Sequence, residues 1–541
     1  MRYSLAGLAL AAMAGTAAPA AADTSLPRLE HRDGRHALFV DGEPFLILGV
    51  QANNSSNYPA MLPEVWPMLE RLHANTLEIP VAWEQVEPVE GRFDFSWLDV
   101  LVKQARERDK RLVLLWFATY KNTGPSYAPV WVKADTGRFP RMRTRDGKKH
   151  YVLSPHHRST LEADKRAFVA MLKHLAQIDR DHRVILVQPQ NEVGSYGQPR
   201  DYAPEAEALF EATIPPELAR ATGKSGTWKA AYGPLADAAF NSWYIARYVD
   251  EIAAAGKAVL SLPMYCNAAL GDAFAKPGQS GGASGGPDWQ VIDVWKAAAP
   301  HIDFVAPDIY NRDPKAYAEY LRHYARRDNA LMVPETGNAA EYARFFWLAL
   351  GKGAIGWAPF GFDATGYSNY PLGAKELDAA TLDAFARQYA LFAPMARAWA
   401  KLAFEHATWG SAKGNDAADE SSVMGHWRVS TQYDLWQFGE RGSPWLKGDP
   451  APSVGKPVGG AVVAQLGADE FLVAGNNVRV RIALEAPADG ESAAMLRVEE
   501  GRYDSRGKWT FKRVWNGDQT DYGLNFVDTP TLLRVTMGRY R

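Results

Sequence analysis

An eight-stranded α/β barrel followed by a smaller all-β domain is the fold class that this 541-residue chain predicts. Three observations carry that prediction. Between about residues 35 and 395, short apolar runs alternate with longer amphipathic stretches. Apolar runs of 4–8 residues between helical patterns read as parallel strands in βα units, and there are eight of them. Beyond about residue 400 the pattern changes to short segments of two-residue alternation separated by turn residues.

The strands are expected at 45–50, 75–80, 111–116, 184–190, 258–264, 304–309, 330–334 and 354–358. Helical stretches fall between them at 63–73, 97–108, 161–179, 235–255, 289–299, 314–327 and 339–350. This count fits a (β/α)8 TIM barrel, which needs ~250 residues and more with insertions. The long inserts 117–160 and 191–234 follow strands three and four, so they should lie at the C-terminal face, where such barrels place their sites. A dinucleotide-binding sheet is excluded, because the first strand runs into Gly49-Val50-Gln51-Ala52-Asn53-Asn54 and no GxGxxG follows it. The Gly-rich stretch 278–286 lacks the Lys-Ser/Thr ending of a P-loop and reads as a loop. In the last part, 462–466, 470–473, 478–483, 495–499 and 532–537 read as strands, and 442–460 reads as a loop. The expected organisation is a signal peptide over 1–22, a barrel over 23–400 and a β-sandwich-like domain over 401–541.

The signal peptide is inferred from Arg2, the apolar run 5–14 and the small residues Ala20-Ala21-Ala22, which together match an export signal. The expected location is therefore periplasmic or secreted. No later segment offers the ~18 apolar residues of a membrane span. Sixty Lys+Arg against 62 Asp+Glu leave a net charge of −2, which gives no reason to expect a nucleic-acid partner. Aromatics are plentiful, with 18 Trp, 23 Tyr and 22 Phe, a composition that suits stacking on neutral ring-shaped ligands. A single cysteine, Cys266, excludes a disulfide framework and a Cys-rich metal site. His156-His157 has no HExxH context, so no metal is expected. No Gly-x-Ser-x-Gly elbow is present either. The oligomeric state is not legible.

Two acidic residues stand where the barrel would place chemistry. The fourth strand ends in Gln190-Asn191-Glu192, and the seventh in Val333-Pro334-Glu335. A carboxylate directly after a buried strand costs desolvation unless it has partners or a role. In one closed barrel, Glu192 and Glu335 would point into the same mouth. Paired carboxylates are what glycoside hydrolysis requires: one neutral to protonate the leaving oxygen, one charged to attack the anomeric carbon or activate water. Repulsion between them, with partial burial, separates their pKa values. No cofactor is needed for such chemistry, and the expected partner is an oligosaccharide or polysaccharide. Asn191 could hydrogen-bond a sugar hydroxyl. Tyr310, in Asp308-Ile309-Tyr310 at the end of strand six, could hold the ionised Glu335. Trp357 and Trp83 could form an apolar platform under the sugar, and Asn267 could face the pocket. Glu78, Glu84, Tyr120 and Lys121 are further candidates for substrate contact or for structural pairing.

Asn-Glu after strand four with Glu after strand seven resembles the signature of the retaining (β/α)8 glycosidases. Within that clan, Asn75-Thr76-Leu77-Glu78-Ile79-Pro80-Val81-Ala82-Trp83-Glu84-Gln85-Val86-Glu87-Pro88, with Gly91-Arg92-Phe93-Asp94-Phe95, resembles the second-strand block of glycoside hydrolase family 35, the β-galactosidases; family 42 shares a related block. Ala128-Pro129-Val130-Trp131-Val132 is similar to the family's Pro-x-Trp-Leu element. The resemblance implies a retaining exo-β-galactosidase with Glu192 as acid/base, Glu335 as nucleophile and Asn191 at the sugar 2-hydroxyl. It also implies an exported bacterial enzyme trimming plant-wall side chains, xyloglucan galactose in particular. The chain departs from the family where a His-Tyr pair ends strand one (here Gln51-Ala52-Asn53-Asn54) and where Ala-Glu-Trp follows strand three (here 116–122). Those positions help recognise the sugar. The alternatives are a retaining β-glucosidase, β-mannosidase or arabinosidase, or a barrel that binds carbohydrate without catalysis.

Overall fold

A computed structural model describes residues 25–441, 443 and 449–541. The expected signal peptide lies outside these residues, as does part of the expected 442–460 loop. Eight parallel strands form a ring: β1 (Ile47–Gln51), β2 (Thr76–Ala82), β3 (Arg111–Lys121), β4 (Val184–Asn191), β5 (Tyr265–Ala269), β6 (Phe304–Ile309), β7 and β8 (Gly356–Trp357). Strand β7 comes in two pieces, Met332–Val333 and Glu335–Thr336, because Pro334 has no N–H to give the ladder. Each strand pairs with the next in sequence, and β8 closes the ring on β1 through Gly356↔Ile47 and Trp357↔Leu48. The β4–β5 seam is the thinnest, a single bridge between Val187 and Met264.

The helices follow from apolar spacing. Helix α1 (Leu62–Arg71) buries Leu62, Val65, Trp66 and Leu69, one face of a 3.6-residue repeat. Helices α2 (Ser96–Glu107), α3 (Arg158–Ile178), α4 (Ala236–Lys257), α5 (Ile292–Ala298), α6 (Pro314–Tyr324) and α7 (Phe345–Gly351) complete the outer layer, with α8 (Ala379–Phe392) after β8. Two starts are visible in the sequence: Asp313 accepts from the amides of Lys315 and Ala316 ahead of Pro314, and Asp378 accepts from that of Thr381. Inside the ring, Ile47, Val113, Leu115, Phe304 and Met332 belong to one buried cluster with Leu38 and Phe45 of an antiparallel sheet that precedes β1. That sheet (Arg28–Arg32, Arg35–Val40, Glu43–Phe45) plugs the N-terminal end, where Arg111 at the start of β3 donates to Asp41 at 2.6 Å. The C-terminal end stays open.

Four expectations shift. The fifth strand is Tyr265–Ala269, beyond the expected 258–264. Helix α4 runs on to Lys257, and the apolar Val259, Leu260 and Leu262 pack as a loop. The true strand is less apolar because it carries Asn267 beneath the site. Strand β3 runs five residues past its expected end, to Lys121. Of the helix expected over 339–350, only Phe345–Gly351 is α-helical. The helix expected from residue 289 begins with a 3-10 turn over Trp289–Val291.

After a last helix (Ala396–Glu405) the chain forms two antiparallel sheets. The six-stranded sheet contains Thr408–Ala412, Gly460–Gln465, Glu470–Asn476, Thr531–Tyr540, Ser492–Tyr503 and Trp509–Val514. The four-stranded sheet contains Glu420–Met424, Trp427–Gln432, Val478–Leu484 and Leu524–Phe526. Trp427, Val429 and Val480 of the smaller sheet share one core with Val463, Val473 and Val535 of the larger. This region docks on α7: Trp347 Nε1 donates to Asn476 Oδ1 at 3.1 Å, and Thr408 Oγ1 to the carbonyl of Gly351 at 3.1 Å. Two glycines make that approach possible. A Cβ on Gly351 would sit 2.0 Å from the backbone nitrogen of Gly410. Among the described residues no helix is long and apolar enough to cross a membrane.

The contact predicts that Gly351→Ala lowers stability by about 1–3 kcal/mol, the usual overpacking cost, because backbone cannot move aside as a side chain can. Thermal unfolding should register a lower Tm; an unchanged Tm would mean that the two backbones are not in contact.

Candidate active site

The open end of the barrel holds a cavity of about 1430 Å³, lined among others by Asn54, Lys121, Glu192, Tyr196, Asp308, Tyr310, Glu335, Phe360 and Tyr367. Glu192 and Glu335 meet here. One oxygen from each, with one from Asp308, lie within 4.8 Å of one another. Residues 143 positions apart thus converge because β4 and β7 end on the same rim (335 − 192 = 143).

Glu192 follows β4 with φ 44°, and Gln190 before it has φ 70°, both in the left-handed region that non-glycine residues seldom occupy. Strain of this kind persists only where surroundings enforce it. Here they do. The Glu192 N–H donates to Asn267 Oδ1 at 2.8 Å, and its carbonyl accepts from the Thr123 amide at 3.0 Å. Gln190 Nε2 donates to Asp164 Oδ2 at 2.7 Å, and Gln190 Oε1 accepts from the amide of Tyr120 at 2.9 Å. Buried Asp164 on α3 also accepts from Trp116 Nε1 and Thr119 Oγ1, tying the ends of β3 and β4 to that helix.

Glu335 has a different setting. Gln51 Nε2 donates to one oxygen at 3.1 Å and the Tyr310 hydroxyl to the other at 2.7 Å. Two donors on two oxygens suit a carboxylate. Burial, then the nearby carboxylates, push the Tyr310 phenol well above its ordinary value, so it stays a donor. Among the described residues, no amide or phenol donor of this kind bonds the Glu192 carboxyl. Desolvation, then the charge of Glu335, raise its pKa to about 7, against an opposing pull from Lys121. Burial, then Glu335 and Glu192, raise Asp308 well above the usual carboxylate range. Glu78 on β2 is fully buried, accepts from the Tyr265 hydroxyl at 3.4 Å while its other oxygen has no hydrogen-bond partner among the described residues, and is likewise raised, by desolvation and then by Glu335.

The trio Glu192, Asp308 and Glu335 has the spacing of a cation-binding group. Gln51, Tyr310 and Asn267 already donate to three of its six oxygens, which leaves few lone pairs for the six to eight oxygen contacts of a calcium ion.

The other expected contacts fall elsewhere. Trp357 is fully buried, outside the cavity lining; its Nε1 donates to Tyr317 OH at 3.0 Å and its ring packs on Phe385. It faces the helices, and Phe360 three residues later lines the cavity. Trp83 is buried at the start of a short helix (Trp83–Val86), bonded to Glu87 and edge-on to Trp131. Neither is a platform under a ligand. Asn191 and Asn267 lie one layer beneath the cavity surface, not on it. Asn191 Oδ1 accepts from Gln188 and Asn267, while Asn267 Nδ2 also donates to Asp308 Oδ2 at 2.7 Å. Tyr120 is buried against the carbonyl of Leu153, whereas its neighbour Lys121 reaches the cavity. Glu84 pairs with Lys133 away from the site. Cys266 is buried, and burial pushes its thiol up, away from reactivity.

Asp308 and Gln51 escaped the sequence reading as site residues. A signal for Asp308 existed: it precedes Tyr310, the residue just past β6, by two, and strand alternation continued one step sends both to the same side.

Two family models match parts of the chain. One, the glycoside hydrolase family 42 model described as "Beta-galactosidase", covers residues 61–258; the other, a domain of unknown function (DUF5597), covers residues 385–527. The matching family is 42, in place of the family 35 expected from the second-strand block. Glu192 lies within the first match, and Glu335 between the two. A "Beta-galactosidase" of Xanthomonas manihotis is 26% identical over 226 residues, 39% of this chain and 34% of that protein. Among solved structures, a β-galactosidase from the psychrophilic Marinomonas ef1 superposes with TM-score 0.48 at 13% identity, covering 66% of this chain and 61% of that one. Endo-glycoceramidase II from Rhodococcus sp. gives TM-score 0.41 at 14% identity, covering 94% and 99%. The chain thus spans about a third of the curated relative that it matches. Its similarity is to β-galactosidase-type glycosidases of the TIM-barrel clan.

The raised Glu192 pKa has a stability consequence. The folded state holds that proton more tightly than the unfolded chain, so the stabilisation is complete below the unfolded value and is lost as pH rises through about 7. Glu192→Gln escapes the loss. Its Tm should exceed the wild type at pH 8–9 and the gap should close toward pH 4; equal Tm values at pH 9 would show that Glu192 pays no burial or repulsion penalty.

Proposed function

We propose that this protein is a retaining exo-β-galactosidase that removes terminal β-galactosyl units from oligosaccharides by double displacement. The carrying observation is the convergence of Glu192 and Glu335, with oxygens within 4.8 Å, in contrasting environments. Retaining glycosidases hold their two carboxyl groups ~5–5.5 Å apart, while inverting ones need ~6.5–9.5 Å to admit water. The short separation favours a covalent glycosyl-enzyme.

Glu335 attacks the anomeric carbon while Glu192, protonated at neutral pH, gives its proton to the departing glycosidic oxygen. Tyr310 and Gln51 hold Glu335 in line for the attack. Water then enters on the side the leaving group vacated, Glu192 takes its proton, and the Glu335 ester bond breaks to release the sugar. Both carboxyl groups return to their starting forms, and no cofactor takes part. The galactose preference and the family 42 assignment rest on similarity. Residues 1–22 support export to the periplasm or medium. The cavity exceeds the ~300–1000 Å³ of ordinary small-ligand sites. Tyr196 and Tyr367 stand exposed on its rim, which supports a leaving group longer than one sugar.

A panel of nitrophenyl β-glycosides tests the reading. Hydrolysis of the galactoside, with the β anomer of the sugar appearing first by NMR, is the expected result. Release from another glycoside alone would move the specificity and keep the mechanism. An α anomer first, or no release from any glycoside, would overturn the proposal. Glu335→Gln and Glu192→Gln should each lose several orders of magnitude in kcat/KM. Tyr310→Phe should lose about tenfold to a hundredfold, as for one hydrogen bond to a charged group. Because the acid must be protonated, kcat/KM should fall as pH rises through about 7; an alkaline limb near pH 4–5 would contradict the role of Glu192.

A further inference from the structure

We propose that Asp308 works as a neutral carboxylic acid at neutral pH, donating a hydrogen bond to Glu192 and so orienting it. This rests on the reading of Glu192 as acid/base and adds a positioning residue that the resemblance does not supply.

Three observations lead there. First, Asp308 is 3% exposed at the end of β6, and its Oδ2 accepts from Asn267 Nδ2 at 2.7 Å, while its Oδ1 is buried without a partner. A buried, ionised and unpaired oxygen is costly; a proton on it makes a donor that needs an acceptor. Second, an acceptor is there. One oxygen of Asp308 and one of Glu192 lie within 4.8 Å of each other. Two ionised carboxylates repel at such a separation, whereas one proton between them lets the pair close into a strong O–H···O⁻ bond. Third, the surroundings supply little positive charge. Facing Asp308 are Glu335 from β7, Glu192 from the β4 end, Glu78 from β2 and Lys121 from β3. The phenols Tyr265 on β5, Tyr310 just after β6, Tyr324 on α6 and Tyr196 after β4, with the Cys266 thiol, complete the ring of titratable groups. Lys121 is the one cation among these groups, and its ammonium also bonds Asn122.

The tightly held proton belongs on Asp308 and the exchangeable one on Glu192, because Glu192 keeps part of its surface open to the cavity, where solvent supports its charge once that proton is given up. Asn267 locks the pair: its Oδ1 takes the Glu192 N–H at 2.8 Å and its Nδ2 serves Asp308. One amide thereby sets both the backbone of Glu192 and the carboxyl that steers its side chain. Glu192 can then alternate between acid and base during the reaction while Asp308 keeps its proton throughout.

The test pairs two variants with two readouts. Asp308→Leu removes the donor. It should lower kcat by about tenfold to a hundredfold with little change in KM, and move the alkaline limb of kcat/KM upward, because the ionised Glu192 loses a stabilising bond. Asp308→Asn keeps an N–H donor in place; it should recover most of the lost kcat and leave the alkaline limb within about 0.3 pH unit of wild type. If Asp308 were ionised, Asn would remove a negative neighbour and the limb would fall by a unit or more, overturning the proposal. Infrared difference spectra of wild type minus Asp308→Asn at pH 7 give a readout independent of turnover. A protonated-carboxyl C=O band should disappear; loss of a carboxylate band instead would refute the inference. That spectrum remains decisive even if no glycoside is hydrolysed, a result which would fail the functional reading alone.

Discussion

Crowding of negative charge in a half-dry barrel mouth is the constraint on which the site depends. Glu78, Glu192, Asp308 and Glu335 converge there with Lys121 as cation. They cannot all ionise together, because burial lowers the dielectric that would screen them. Protons must therefore be held, and the environment of each carboxyl decides where. Gln51 and Tyr310 offer hydrogens to Glu335. Glu192 receives no comparable pair and stays near neutrality. One physical conflict thus gives two identical side chains different environments, as the proposed acid and nucleophile require.

Holding like charges together is destabilising, so the scaffold around them is rigid. The left-handed backbone at Gln190 and Glu192 is pinned from two sides, by Asp164 through Gln190 and by Asn267 through the Glu192 amide. These polar groups lie beneath the cavity and touch no solvent, and their hydrogen bonds are paired within the protein. Their contribution is position: the proposed in-line attack would lose its geometry if an oxygen moved by an ångström. The plug of antiparallel strands at the opposite end and the sandwich docked on α7 leave the C-terminal mouth as the open face of the ring.

Much of the barrel was legible because each strand is a short buried run and each helix repeats its apolar residues every three or four positions. Legibility failed where function interrupts the pattern. Strand β5 carries Asn267 in its middle, so its hydrophobic signal is weaker than that of the loop before it. Trp357 and Trp83 illustrate the opposite error. A large aromatic at a strand end suggests a binding platform, yet both rings pack outward among helices. Side-chain direction on strands this short depends on the register of the ring, which two or three residues do not reveal.

The linear order of residues was enough to specify an eight-unit barrel, a β-rich tail and two acidic strand ends, since hydrophobic periodicity and strand termini are local properties. What required the folded chain was the company those acids keep. Asp308, Gln51, Asn267 and Lys121 come from four different strands, and their distances follow from how the ring closes. Charge coupling acts through space, and so the difference between the surroundings of Glu192 and Glu335 exists only once those strands are side by side.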